Sequence, residues 1–164
     1  MGYYSRLANP RGGRQITEDH MYKKILVTLD ISPADKTILA HIRLLARLTG
    51  AEIILVHVAD GFGAQLQEQL NLQDSEEIKN DRAYLNQEVS KLSQEGFHVR
   101  SILVQGDPVE RILWVADENK CDLIAMATHG HGLVKDLILG SVADSLRHQT
   151  NLPILMIRAG NHGA

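Results

Sequence analysis

Met126-Ala127-Thr128-His129-Gly130-His131-Gly132, then Leu133 to Leu139, then Gly140-Ser141-Val142, is the stretch on which the reading of this chain turns. An apolar run, Asp122 to Ala127, leads into it and reads as a buried strand. Val142, Ser145 and Leu146 follow it at helical spacing. A glycine-rich segment between a strand and a helix start lets backbone N–H groups approach an anion, and the helix N-terminus adds partial positive charge. Such a loop suits the phosphates of a nucleotide. Glycines alone also make an ordinary tight turn. The spacing from Gly130 to Gly140-Ser141 favours the anion reading.

Working outward, the same alternation recurs. Lys24 to Leu29, Ile53 to Val58, Val99 to Val104, Asp122 to Ala127 and Pro153 to Ile157 read as five strands. Between them lie helical patterns. Ser32-Pro33 offers an N-cap and a proline at the first helical position, Ile38, Ile42, Leu45, Ala46 and Thr49 follow, and Gly50 stops the helix. Ala59 to Gln73, with Gly61 and Gly63, reads as a loop. Ile78, Leu85, Val89 and Leu92 mark a long helix ending at Gly96. Gly106-Asp107-Pro108 is a turn in which Asp107 caps a helix with Val109, Ile112, Leu113 and Ala116 on its inner face. Continuous Ile/Leu/Val runs suit strands covered on both faces. The pattern therefore predicts an α/β fold: a five-stranded parallel, doubly wound sheet with helices on both faces. Ligands of such sheets bind at the carboxyl ends of the strands, where the strand order reverses. The loops at Asp30 and Gly106 and the glycine loop converge there.

The chain has 164 residues, enough for one domain with a real core. Its formal net charge is -3 and it carries no long basic run, which argues against nucleic acid as the main partner. No stretch approaches the ~20 apolar residues of a membrane span. Cys121 is the single cysteine, so no internal disulfide forms and a reducing cytoplasm is the expected compartment. Residues 1–20 hold Arg6, Arg11 and Arg14 but no apolar block, and read as a flexible tail ahead of a domain over 21–160.

Met21-Tyr22-Lys23-Lys24-Ile25-Leu26-Val27 with Asp30, Leu55-Val56-His57-Val58, Val104-Gln105-Gly106-Asp107-Pro108, and the glycine loop together resemble the universal stress protein family. The loop resembles the family's ATP-binding signature, Gly-x2-Gly-x9-Gly-Ser/Thr, with Ala127 in place of the first glycine. The resemblance implies the strand order 3-2-1-4-5. It implies an adenine nucleotide, ATP or AMP with magnesium, as ligand of a regulatory module in the stress response. Leu29 and Asp30 would lie beside the nucleoside, the backbone at Val58 at the adenine edge, and Gly106 on the ribose side. Met126, Ala127 and Gly130 would pack against ribose and phosphates. Gly140, Ser141 and Val142 would offer N–H groups to the phosphates. It also implies a homodimer through the last strand, Ile154, Leu155, Met156 and Ile157, and a protein partner that reads the bound state.

The remaining residues point to no second chemistry. His129 and His131 form a His-x-His pair with only Asp136 as a nearby carboxylate, so no metal site is expected. His57, inside an apolar run, reads as a satisfied core histidine, Cys121 as structural, Trp114 as packing, and Lys135 and Arg147 as surface. No P-loop or nucleophile elbow is present. At most slow ATP hydrolysis or autophosphorylation is expected, with no catalytic residue named. A nucleotide-free dimerisation module and a weak ATPase stand as the alternatives.

Overall fold

Lys24–Thr28 forms strand β1, whose central residues are fully buried. The computed structural model describes residues 21–59, 76–129 and 141–159. The further elements are α1 (Ala34–Thr49), β2 (Glu52–Ala59), α2 (Glu76–Gln94), β3 (Val99–Gln105), α3 (Pro108–Glu118), β4 (Leu123–His129), α4 (Ser141–Gln149) and β5 (Ile154–Ala159). Residues 1–20, read as a tail, and Gly61, Gly63, Gly130, His131, Lys135, Asp136 and Gly140 lie outside the described residues.

The five strands pair in the order β3-β2-β1-β4-β5, and every pairing is parallel. This is the doubly wound sheet with order 3-2-1-4-5. Because side chains alternate along a strand, each strand feeds two cores. Ile25, Val27, Ile53, Leu55 and Ala125 pack under Ile38 and Ile42 of α1 and Leu85 and Leu92 of α2. Leu26, Ile54, Val56, Ile124 and Met126 pack under Ile112 and Val115 of α3 and Leu146 of α4.

Local signals explain the helix ends. Ser32 Oγ accepts from Ala34 N at 3.1 Å, and Pro33 is already helical at φ -57°. Gly50 closes α1 in the left-handed conformation at φ 70°, its N–H returning to the Ala46 carbonyl. Asp107 caps α3, its carboxylate accepting from Glu110 N at 3.0 Å.

Two expectations are corrected. The fourth strand does not end at Ala127. It runs on to His129, because Thr128 pairs with Arg158 and His129 with Ala159 on β5. Trp114 is not core packing: it is 50% exposed, on the outer face of α3, whose inner face is taken by Ile112, Val115 and Ala116.

Candidate functional site

Parallel strands bring their carboxyl ends to one edge of the sheet. The chain winds from β1 through β2 to β3 on one side, then returns to β4 and β5 on the other, so the order reverses between β1 and β4. Leu29 and Asp30 follow β1 at that edge, Val58 stands near the end of β2, and Gly106 follows β3. Met126 and Ala127 lie in the second half of β4, and Ser141 and Val142 open α4. Topology thus brings these residues to one edge; Gly130 and Gly140 fall outside the described residues.

The residues differ in what they present. Leu29 is 3% exposed; its N–H donates to the Val56 carbonyl at 2.8 Å. Its own carbonyl lies 2.7 Å from His57 Nδ1. His57 Nε2 is 3.5 Å from Asp81 Oδ2 on α2, so His57 is satisfied as expected. Met126 is 7% exposed, its side chain belongs to the α3/α4 core, and it pairs with Met156 in the β4–β5 ladder. Ala127 pairs with Ile157 within the strand. Among the described non-glycine residues only Tyr22, Ile31 and Lys120 have positive φ, so Ala127 does not. Ser141 is exposed and Val142 half-buried.

The loop after β1 holds a cluster that sequence reasoning missed. Asp35, in the first turn of α1, is 1% exposed. Its carboxylate accepts from Asp30 N at 3.2 Å and from Ile31 N at 3.0 Å. The Tyr84 hydroxyl of α2 donates to it at 2.9 Å. Burial, reinforced by the hydrogen bond that the protonated Asp35 carboxyl donates to the neighbouring Asp30, pushes the Asp35 carboxyl up to about 6, while the Tyr84 bond pulls it down. Burial and Asp35 together push the Tyr84 phenol upward. The available signal was position: Asp35 stands three before Ile38 and seven before Ile42, on the stripe that faces the core.

At the end of β3, Gly106 takes φ 125°, and a Cβ there would meet Arg111 Nε at 2.8 Å. Arg111 Nε is buried without a hydrogen-bond partner among the described residues. The Arg111 side chain thus packs directly against the Gly106 backbone, the contact that the missing side chain allows. With the Asp30 carboxylate as acceptor and the α4 N-terminus as donor, the edge fits a ligand that has hydroxyl donors, ring or sugar acceptors and an anionic end. No group of three His, Cys, Asp or Glu side chains able to hold a metal occurs among the described residues. Cys121 is buried, and burial pushes its thiol up to about 11, so it is not a nucleophile at neutral pH.

The predicted dimer strand forms the sheet edge. β5 pairs with β4 alone among the described residues. Leu155 and Ile157 pack toward the α1/α2 core and Ile154 toward the α3/α4 core. Met156 is 39% exposed. No helix among the described residues is long and apolar enough to cross a membrane.

Comparison with known proteins agrees with this architecture. The model of the universal stress protein family matches residues 21–158. The chain is 31% identical over 161 residues to universal stress protein MJ0577 of Methanocaldococcus jannaschii, covering 86% of this chain and 98% of that one. The solved MJ0577 structure superposes with a TM-score of 0.68 at 33% identity, over 87% of this chain and 99% of that chain. A Thermus aquaticus universal stress protein is 32% identical over 145 residues, covering 84% of this chain and all (100%) of the relative. The universal stress protein of Archaeoglobus fulgidus in complex with dAMP shares the fold, with a TM-score of 0.61 at 24% identity over 84% of this chain and 99% of that one. With the family match over residues 21–158, the sheet order and the sequence identity in agreement, this protein belongs to the universal stress protein family.

Proposed function

We propose that this protein is a regulatory module of the stress response that binds an adenine nucleotide, ATP or AMP, and acts as a homodimer. The observation that carries the reading is the convergence of Asp30, Val58, Gly106, Ala127 and the start of α4 on the edge where the strand order reverses. The A. fulgidus protein of this fold, in complex with dAMP, supports the choice of an adenine nucleotide.

Each residue has a role its chemistry allows. The Asp30 carboxylate accepts from ribose hydroxyls. The backbone at Leu29 and Val58 borders the base. Gly106, Met126 and Ala127 let the sugar approach the backbone closely. N–H groups at Gly130, Gly140, Ser141 and Val142 meet the phosphates, with magnesium accompanying a polyphosphate. The bound nucleotide alters the surface that a partner protein reads, biasing a pre-existing equilibrium. β5, through Ile154, Leu155, Met156 and Ile157, pairs with a second copy and so covers the open edge. A single buried cysteine agrees with action in the cytoplasm.

A thermal-shift titration tests the reading. At fixed protein concentration the melting temperature rises with ATP and magnesium, by the equivalent of about 2.7 kcal/mol when ligand reaches a hundred times Kd. No rise at millimolar nucleotide contradicts it.

A further inference from the structure

The loop that carries Asp30 is held from outside by side chains that do not belong to the glycine signature. Ile31 adopts φ 58°, a left-handed conformation that is an outlier for a β-branched residue and persists only where its surroundings enforce it. The enforcing group is visible: the two successive amides of Asp30 and Ile31 donate to the two oxygens of one buried carboxylate, Asp35. Tyr84 of α2 donates to the same carboxylate and so fixes its plane. The residue before them, Leu29, is tied through its carbonyl to His57, which meets Asp81 of α2. Three consecutive loop residues are therefore held by β2, α1 and α2.

We propose that Asp35, oriented by Tyr84, is the positioning residue of this site: through the Asp30 and Ile31 amides and a hydrogen bond to the Asp30 carboxyl, it sets the β1–α1 loop and with it the place of Asp30 beside the nucleoside. The proposal deepens the nucleotide-site reading and rests on it. Asp35 touches no ligand atom. It acts by satisfying two amides that would otherwise turn the loop toward water, and by holding a strained residue in place.

The groups that face Asp35 are Asp30 from the loop and Tyr84 from α2, with Glu88 acting on Tyr84 in turn, while His57 of β2 and Asp81 of α2 pair with each other. Glu88 is itself paired with Lys91 at 2.6 Å. The Asp35 carboxyl is the group raised to about 6, so its titration falls in an accessible range. An amide proton bonded to a carboxylate moves upfield when that carboxylate is protonated, which makes the Asp30 and Ile31 amides reporters of Asp35.

The experiment has two arms on the full chain. In the first, without ligand, the amide proton shifts of Asp30 and Ile31 are followed by NMR from pH 7.5 to 5. Both move upfield together with one midpoint near 6. Asp35→Asn abolishes that titration. Tyr84→Phe moves the midpoint to higher pH, because the lost hydrogen bond is one that holds it down. A residue that merely packs would produce none of these changes.

In the second arm, affinity for ATP with magnesium is measured for the wild type, Asp35→Ala, Tyr84→Phe and the double variant. Tyr84→Phe weakens binding by about threefold and Asp35→Ala by about tenfold, the range of one to two lost hydrogen bonds. The double variant binds within about twofold of Asp35→Ala alone, since both act through one carboxylate. Variants that bind as well as the wild type, additive losses, or amide shifts unchanged by Asp35→Asn overturn the proposal alone. A wild type that binds no ATP overturns it together with the nucleotide reading. Should Asp35→Ala fail to fold, the Tyr84→Phe midpoint and affinity still decide.

Discussion

Ala127 sits opposite Ile157 in the β4–β5 ladder, two residues before the strand ends. The position where the family signature has its first glycine is therefore extended strand in this chain, with no positive φ. Only the absence of a side chain, not glycine's conformational freedom, could matter there. Ala127→Gly is expected to change nucleotide affinity by less than about threefold. It should lower stability by roughly 0.5–1 kcal/mol, because glycine in a strand interior costs entropy and packs nothing. Calorimetric binding together with urea unfolding checks both. A large gain in affinity would mean that the methyl blocks the ligand.

Gly106 is the opposite case. Its φ of 125° is one that side-chain-bearing residues rarely adopt, and a methyl there would meet Arg111 Nε at 2.8 Å. Gly106→Ala is expected to destabilise the fold by about 1–3 kcal/mol. Adding Arg111→Ala recovers only the part due to the clash, since the backbone strain remains. Urea unfolding of the single and double variants separates the two contributions.

Asp35 makes stability depend on pH with a definite sign. Its folded carboxyl is raised to about 6 from 3.8 in the unfolded chain. Between these values the folded state binds more protons, so stability falls as pH rises through the window. The contribution is fully present below the unfolded value and is lost once pH passes about 6. Its size is on the order of 3 kcal/mol, from a shift of about two units at about 1.36 kcal/mol each. Glu95, held below its ordinary value by its hydrogen bond to Arg43, acts in the opposite direction at lower pH. Comparison of the wild type with Asp35→Asn cancels that effect. Chemical unfolding at pH 5 and pH 7 should show wild-type stability falling relative to the variant as pH rises.

Met156 offers a clean test of the proposed dimer. Its side chain is 39% exposed on the open edge strand, so a charge there has no core to disrupt. Met156→Lys is expected to leave the melting temperature of the monomer fold nearly unchanged while blunting edge pairing. Sedimentation should then show a dimer for the wild type and a monomer for the variant. A variant that remains dimeric moves the interface elsewhere.

Most of the fold was legible because strand and helix periods alternate cleanly. The buried runs at Ile25–Val27, Ile53–Val56 and Leu123–Met126 read as strands covered on both faces, and the family resemblance added their order. Asp107 and Gly50 announced their caps by residue type alone. What escaped were matters of tertiary partnership. Thr128 and His129 read as loop because glycines follow, yet a β5 ladder draws them into strand. Trp114 read as packing, although helical phase turns it outward. Asp35 and Tyr84 lie 49 positions apart, and no local pattern shows that a buried carboxylate finds its donor across that span. The same holds for Arg111, whose unpaired Nε is visible only once it folds over Gly106.

The central claim is that an adenine nucleotide binds at the edge carrying Asp30. Equilibrium dialysis of the full chain against labelled ATP with magnesium measures this most directly. The account predicts saturation at one nucleotide per chain, displacement by unlabelled AMP, and at least about a tenfold loss of affinity in Asp30→Ala, as expected for a hydrogen bond to a charged group. No retention at millimolar ATP, or retention unaffected by Asp30→Ala, would contradict it.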